Sequence, residues 1–208
     1  MCERFLKIRD QLRTNLKVFH KFVIISIGRV VPSKNIEIVL QAMSALPGPL
    51  KDIVILIICG GPTNDNYKAQ LLQLANDLKL QHNVIFYGQV TEEEKAMLLC
   101  SADLFVFPTR SEGFGIVILE ALAAGLPVLA SNINTIESFM NQINQNTATY
   151  LLDPKNHCEW ATHIRLAYDD RETSNKARRL RKPTSNFKWS ALAKETLNIY
   201  ETVKKPIV

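Results

Sequence analysis

Glu112 and Glu120 lie in the stretch "SEGFGIVILEALAAG", residues 111–125, one on each side of a Gly-Phe-Gly. Glu120 is the single charge between Phe114 and Asn132. Its neighbours one turn away, Ile116, Val117, Ala123 and Ala124, are all apolar or small, so the pattern predicts a helix buried on every face. A buried carboxylate without partners is costly or loses its charge, so Glu120 needs donors. The two adjacent hydroxyls of a ribose would serve, and so would a buried Arg or Lys.

Glu112 sits on the loop before that helix. Gly113 and Gly115 let backbone N–H groups approach a ligand closely, and the positive end of the helix points the same way, which suits a phosphate. Arg29 follows the first strand and its Gly28, and Lys34 begins the next helix. Both reach the same rim, where a guanidinium and an ammonium suit a diphosphate. The loop and helix place the two carboxylates roughly 8–12 Å apart. A nucleotide sugar carries its ribose and hexose on opposite sides of a diphosphate and would account for all these residues. The plainer readings are turn glycines, surface cations and, for Glu112, a favourable charge near a helix N-terminus.

The elements that would position these residues alternate regularly. Strands are expected at 22–28, 53–61, 83–88, 103–108, 127–131 and 149–154. Helices are expected at 34–46, 67–80, from Thr91 to about 101, after Gly115, and at 156–170 and 190–203. Thr91 with Glu94 forms a capping box. Continuous apolar strands separated by helices predict an α/β, Rossmann-like doubly wound parallel sheet. Such sheets bind ligands at the carboxyl ends of their strands, where the corners at Gly28, Gly60-Gly61 and Gly113–Gly115 should meet.

The chain is 208 residues long, enough for one domain with a sound core. Its net charge of +5 is uneven. Residues 1–21 hold six Lys/Arg against two acids and residues 165–188 hold eight against three, leaving 11 bases against 15 acids elsewhere. That distribution, without an aromatic-interleaved basic stripe, argues against a nucleic-acid partner. The basic ends are solvated helix faces or contacts to an anionic membrane or partner. With four scattered cysteines and four histidines, no metal site is expected. No signal peptide or membrane span is legible, and a cytoplasmic location, with membrane-face contact through the basic ends, is the expectation.

Gly28-Arg29 with Lys34, followed by "EGFGIVILEALAAGLPVLAS", resembles the donor-binding half of retaining glycosyltransferases of the GT-B fold, family 4. "NVIFYGQVTEEEK", "ADLFVFPTRSEGFG" and "NFKWSALAKETLNIY" have counterparts in order, so the resemblance covers about residues 22–203. It implies that Arg29 and Lys34 bind the diphosphate and Glu120 the ribose. Glu112, the catalytic candidate, and the amides of Phe114 and Gly115 would contact the transferred sugar. Val90, through its backbone, and Lys95 would lie near the base. With Gly28, Gly113 and Ile116, these complete the candidate donor site for a UDP-, GDP- or ADP-sugar, with no metal required. The family pairs two such domains across a cleft. This chain is expected to be the C-terminal one, residues 22–208, without the acceptor domain and inactive in isolation. Residues 1–21 are then a linker remnant or a segment that docks a partner subunit. The competing functions are a donor-binding subunit of a two-component transferase, a non-catalytic nucleotide-sugar module and a nicotinamide-dependent oxidoreductase. Arg-Val-Val-Pro after the first strand, in place of GxGxxG, argues against the last.

Overall fold

Six short runs of branched and aromatic residues pair into one sheet in the computed structural model, which describes residues 2–61, 65–142 and 149–171. The strands are β1 (Phe22–Ile27), β2 (Val54–Cys59), β3 (Val84–Gly88), β4 (Leu104–Phe107), β5 (Val128–Ser131) and β6 (Thr149–Leu152). They are parallel throughout, in the order β3-β2-β1-β4-β5-β6. Every residue of β1, β2, β4 and β5 is buried, as expected of strands covered on both faces. The chain winds outward from β1 to β3, returns to the middle at β4 and winds out the other way. The switch between β1 and β4 is sealed by the pairs Ile24 with Leu104 and Ile25 with Phe105.

The helices are α1 (Cys2–Asn15), α2 (Ile36–Ser44), α3 (Gly48–Lys51), α4 (Asp65–Asp77), α5 (Glu92–Ser101), α6 (Ile116–Ala123), α7 (Asn134–Gln142) and α8 (His157–Asp169). Two cores result from the alternation of strand side chains. Ile24, Leu56 and Val106 pack with Val39 and Met43 of α2, Leu71 of α4 and Trp160 of α8. Ile25, Ile57 and Phe105 pack on the other face with Leu98 of α5, Ile118 of α6 and Phe139 of α7. This is the doubly wound architecture expected from the sequence. Thr91 and Glu94 form both bonds of the capping box that opens α5.

Helix α7 was not among the expected elements. Ile133, Ile136 and Met140 are spaced three to four apart, a helical signal hidden among asparagines. Residues 9–21 pack onto the sheet domain. Arg13, 4% exposed, donates to Asp103 at 2.9 Å, to the Ser101 carbonyl at 2.9 Å and to the Lys21 carbonyl. Arg9 reaches the other Asp103 oxygen at 2.5 Å. Asp103 also accepts from the β1 amide of Val23, so one carboxylate joins α1, β1 and the start of β4. Among the described residues, no helix is long and apolar enough to cross a membrane. The helix expected at 190–203 and the basic run "KARRLRK" lie outside the described residues.

Candidate functional site

The carboxyl ends of β1, β2 and β3 are stitched together by glycines. The Gly28 amide donates to Cys59 at 2.9 Å, and the Gly60 amide to Gly88 at 2.7 Å. Gly60 has φ +137°, and a Cβ there would sit 1.9 Å from the Gly28 carbonyl oxygen. Gly60 therefore serves the approach of two strand ends.

After Gly28 the chain exposes Arg29 and buries Val30. Pro32–Lys34 form a single 3-10 turn, and Asn35 takes the left-handed conformation (φ 54°) before α2. Asparagine tolerates that region, and here its side chain is buried and donates to the Pro154 carbonyl at 2.9 Å. Lys34 thus ends the short turn; α2 itself begins two residues later than the sequence pattern predicts. The turn sends the Lys34 ammonium over the Phe107 ring, 5.1 Å from its centroid, to 2.6 Å from Glu112 Oε2.

A backbone clamp absent from the sequence reading holds this arrangement. The Ser33 carbonyl accepts from the Arg110 amide at 2.7 Å, and the buried Thr109 hydroxyl sits between the Ser111 carbonyl at 2.7 Å and the Ser33 carbonyl at 3.1 Å, with one proton for the two. Arg110 also pairs with Glu37 at 2.8 Å, and Glu37 accepts from Tyr67. The loops after β1 and β4 are therefore tied to each other. A lone Thr-Arg after Pro108 carries no sequence signal for this, because its partner is a carbonyl.

Glu112 is also held by its own loop: its carboxylate accepts from the Gly113 amide at 2.9 Å. Burial alone would raise its pKa, but the hydrogen bonds from Lys34, Gly113 and Phe114 outweigh it and hold it below the usual 4.5. Gly113 faces open space, whereas Gly115 (φ +76°) is the buried N-cap of α6. Phe114 is half exposed and leans on Phe139, ring centroids 4.9 Å apart, beside a hollow lined by Asn134, Thr135 and Ser138.

Helix α6 is not buried on every face. Ile116 is 45% exposed, Ala123 is exposed and the Glu120 side chain is 30% exposed. The apolar stripe that sinks into the core is Ile118, Ala121 and Leu122, and the opposite face looks outward. Glu120 is therefore not a lone buried carboxylate. It pairs with Lys95 at 2.7 Å, and Lys95 also pairs with Glu92 at 2.8 Å. Burial would lower the Lys95 pKa, but its hydrogen bonds to Glu120 and Glu92 leave it raised. Lys95 lies on α5, one turn after Val90 and the Thr91 cap, so Val90, Lys95 and Glu120 form a second group beside Lys34, Glu112 and the loop glycines. Arg29 and Lys34 both line a small hollow with Ser26, Ile27, Phe107 and Pro108, Arg29 at its exposed rim. The Arg29 guanidinium makes no bond to any described residue. Among the described residues, no three of His, Cys, Asp and Glu gather as metal ligands would.

A parallel sheet with two ion-paired corners at its switch point defines a Rossmann-like domain with a polar, cation-bearing rim. The sequence matches the family of glycosyl transferases group 1 over residues 8–184, and the chain belongs to that family. Among its relatives, D-inositol 3-phosphate glycosyltransferase of Salinispora tropica is 29% identical over 86% of this chain and 38% of that protein. Sulfoquinovosyl transferase SQD2 of Arabidopsis thaliana is 28% identical over 94% of this chain and 36% of that protein. Solved GT-B glycosyltransferases share the fold. Anabaena HepE with UDP and glucose superposes with a TM-score of 0.75 at 24% identity, covering 92% of this chain and 52% of HepE. A Rickettsia africae glycosyltransferase gives 0.76 at 20% identity, covering 96% and 53%. The chain thus spans about half the length of those structures, and less of its curated relatives.

Proposed function

We propose that this chain is the C-terminal, donor-binding half of a family 4 retaining glycosyltransferase that moves a hexose from a nucleoside-diphosphate sugar. Arg29 and Lys34 bind the diphosphate. Glu120 accepts from the ribose diol, with Lys95 and the Val90 backbone near the base. Glu112 and the amides of Phe114 and Gly115 face the transferred sugar, beside Gly28, Gly113 and Ile116. The departing diphosphate is stabilised by fixed charges and amides, without a metal. The acceptor is presented by a second lobe facing this rim.

The observation that carries this reading is Lys34, which lines one hollow with Arg29, paired with Glu112 of the Gly113 loop at the switch point, where open parallel sheets take their ligands. Family membership and the UDP held by Anabaena HepE support it. A thermal-shift screen against UDP-, GDP- and ADP-sugars, with NADH as control, tests it. One nucleotide-sugar class should raise the melting temperature and NADH should not. Stabilisation by NADH alone, or by no nucleotide sugar, would contradict it. Because approximation and orientation supply roughly 7–11 kcal/mol of a transfer barrier, the chain alone should bind donor yet transfer little until the acceptor lobe is added.

A further inference from the structure

The cation and amides best placed for a phosphate already hold an anion, and that anion is the chain's own. We propose that the Glu112 carboxylate is a placeholder that occupies the anion cradle of Lys34 and Gly113 in the free chain and must be displaced when a diphosphate binds. This rests on the reading of Lys34 as a phosphate ligand.

The geometry leaves little alternative for an incoming phosphate. Glu112 Oε2 lies 2.6 Å from the ammonium, and Oε1 takes the Gly113 amide at 2.9 Å. The carboxylate thus engages both the ammonium of Lys34 and the first amide of the glycine loop. A phosphate brought to the same ammonium would lie within a few ångströms of the carboxylate, where two like charges repel strongly. Other charges near the cleft do not relieve this. Arg110 is engaged by Glu37 and Lys95 by Glu92 and Glu120; Arg29 is unengaged but stands on the rim.

The loop allows the exchange. The Glu112 side chain is partly exposed, and a Cβ on the adjoining Gly113 would meet nothing within 4 Å, so the loop is open to solvent on that side. The Ser33 carbonyl, clamped by Thr109 and Arg110, keeps the Lys34 turn in place while the carboxylate leaves. Phosphate arrival would then release Glu112 toward the sugar, so the carboxylate becomes available only when a donor is bound. The empty site, neutralised internally, would hold stray anions weakly.

The proposal has a test whose sign is opposite to that of an ordinary binding residue. UDP, GDP and ADP, each with its own nucleoside, are titrated calorimetrically into the wild-type chain, Glu112→Gln and Glu112→Ala, with thermal melts to verify folding. The diphosphate that binds the wild type should bind both variants about three- to thirty-fold more tightly, with the nucleoside unchanged. Equal or weaker diphosphate binding by the folded variants overturns the placeholder and leaves the phosphate site standing. A wild type that does not distinguish diphosphate from nucleoside removes the phosphate site itself, and the placeholder with it.

Discussion

Lys34 and Glu112, on loops that follow different strands, meet at 2.6 Å across the switch point of the sheet. The pair is partly shielded, with side-chain exposures of 17% and 21%, and it links the two loops that carry the candidate phosphate and sugar contacts. Its protonation behaviour gives the first prediction.

The Glu112 pKa is depressed in the folded chain, so its contribution to stability is present above the unfolded value of 4.5 and is lost as pH falls through the lower folded value. At pH 7 the wild type should exceed Glu112→Gln in stability by about 0.5–1 kcal/mol, given the partial exposure. Urea melts should show the gap closing below pH 4.5. A gap that persists unchanged in acid would mean that the carboxylate contributes nothing through its charge.

Glu120→Gln removes one of two partners from Lys95 and leaves Glu92 in place. Because the pair is partly exposed, apo stability should fall by only about 0.5–1 kcal/mol, while affinity for the nucleotide falls several-fold. Denaturation curves and nucleotide titrations on the same preparation check both. A stability loss of the size typical of a broken buried pair, about 3–5 kcal/mol, with unchanged affinity would reduce Glu120 to a structural residue.

The glycines separate by role. Gly60→Ala forces a Cβ against the Gly28 carbonyl in a conformation that side chains avoid, and should destabilise the fold by about 2 kcal/mol or more. Gly113→Ala meets open space and should leave the melting temperature within about a degree or two while weakening diphosphate binding. Equal thermal tolerance of the two would contradict the stitched strand ends.

The six strands and their doubly wound parallel sheet were legible in the sequence, because branched runs such as "FVIISI" and "IVILII" alternate with helix-period segments and leave few topologies. The ion pairs of the candidate site were not legible. Glu112, Glu120, Lys34 and Lys95 were each singled out, yet sequence spacing does not show which cation meets which carboxylate. The expectation of a fully buried α6 failed for a physical reason. Apolar residues on all sides of a helix are read as burial, but a helix that starts at the rim of the sheet leaves its first residue, Ile116, and the preceding Phe114 uncovered. The Ser33 clamp was invisible because its acceptor is backbone.

Helix α1 is held by a buried guanidinium. Arg13→Ala removes the donors to Ser101, Lys21 and Asp103 and should cost about 3 kcal/mol or more, whereas Arg9→Ala, with Arg13 still on Asp103, should cost less. Chemical denaturation of both variants measures the difference. If Arg13→Ala were as stable as wild type, residues 9–21 would not be part of the folded unit.

The most direct test of the donor site is isothermal titration of the 208-residue chain and its Arg29→Ala and Lys34→Met variants with UDP, GDP, ADP and the matching nucleosides. One diphosphate should bind the wild type clearly more tightly than its nucleoside. Arg29→Ala should lose about 1–2 kcal/mol and Lys34→Met about 1.5–3 kcal/mol of that diphosphate's affinity, the scale of charge-assisted hydrogen bonds. Nucleoside affinity should not change. Equal losses for nucleoside and diphosphate, or a wild type indifferent to the phosphates, would contradict a donor site at this rim.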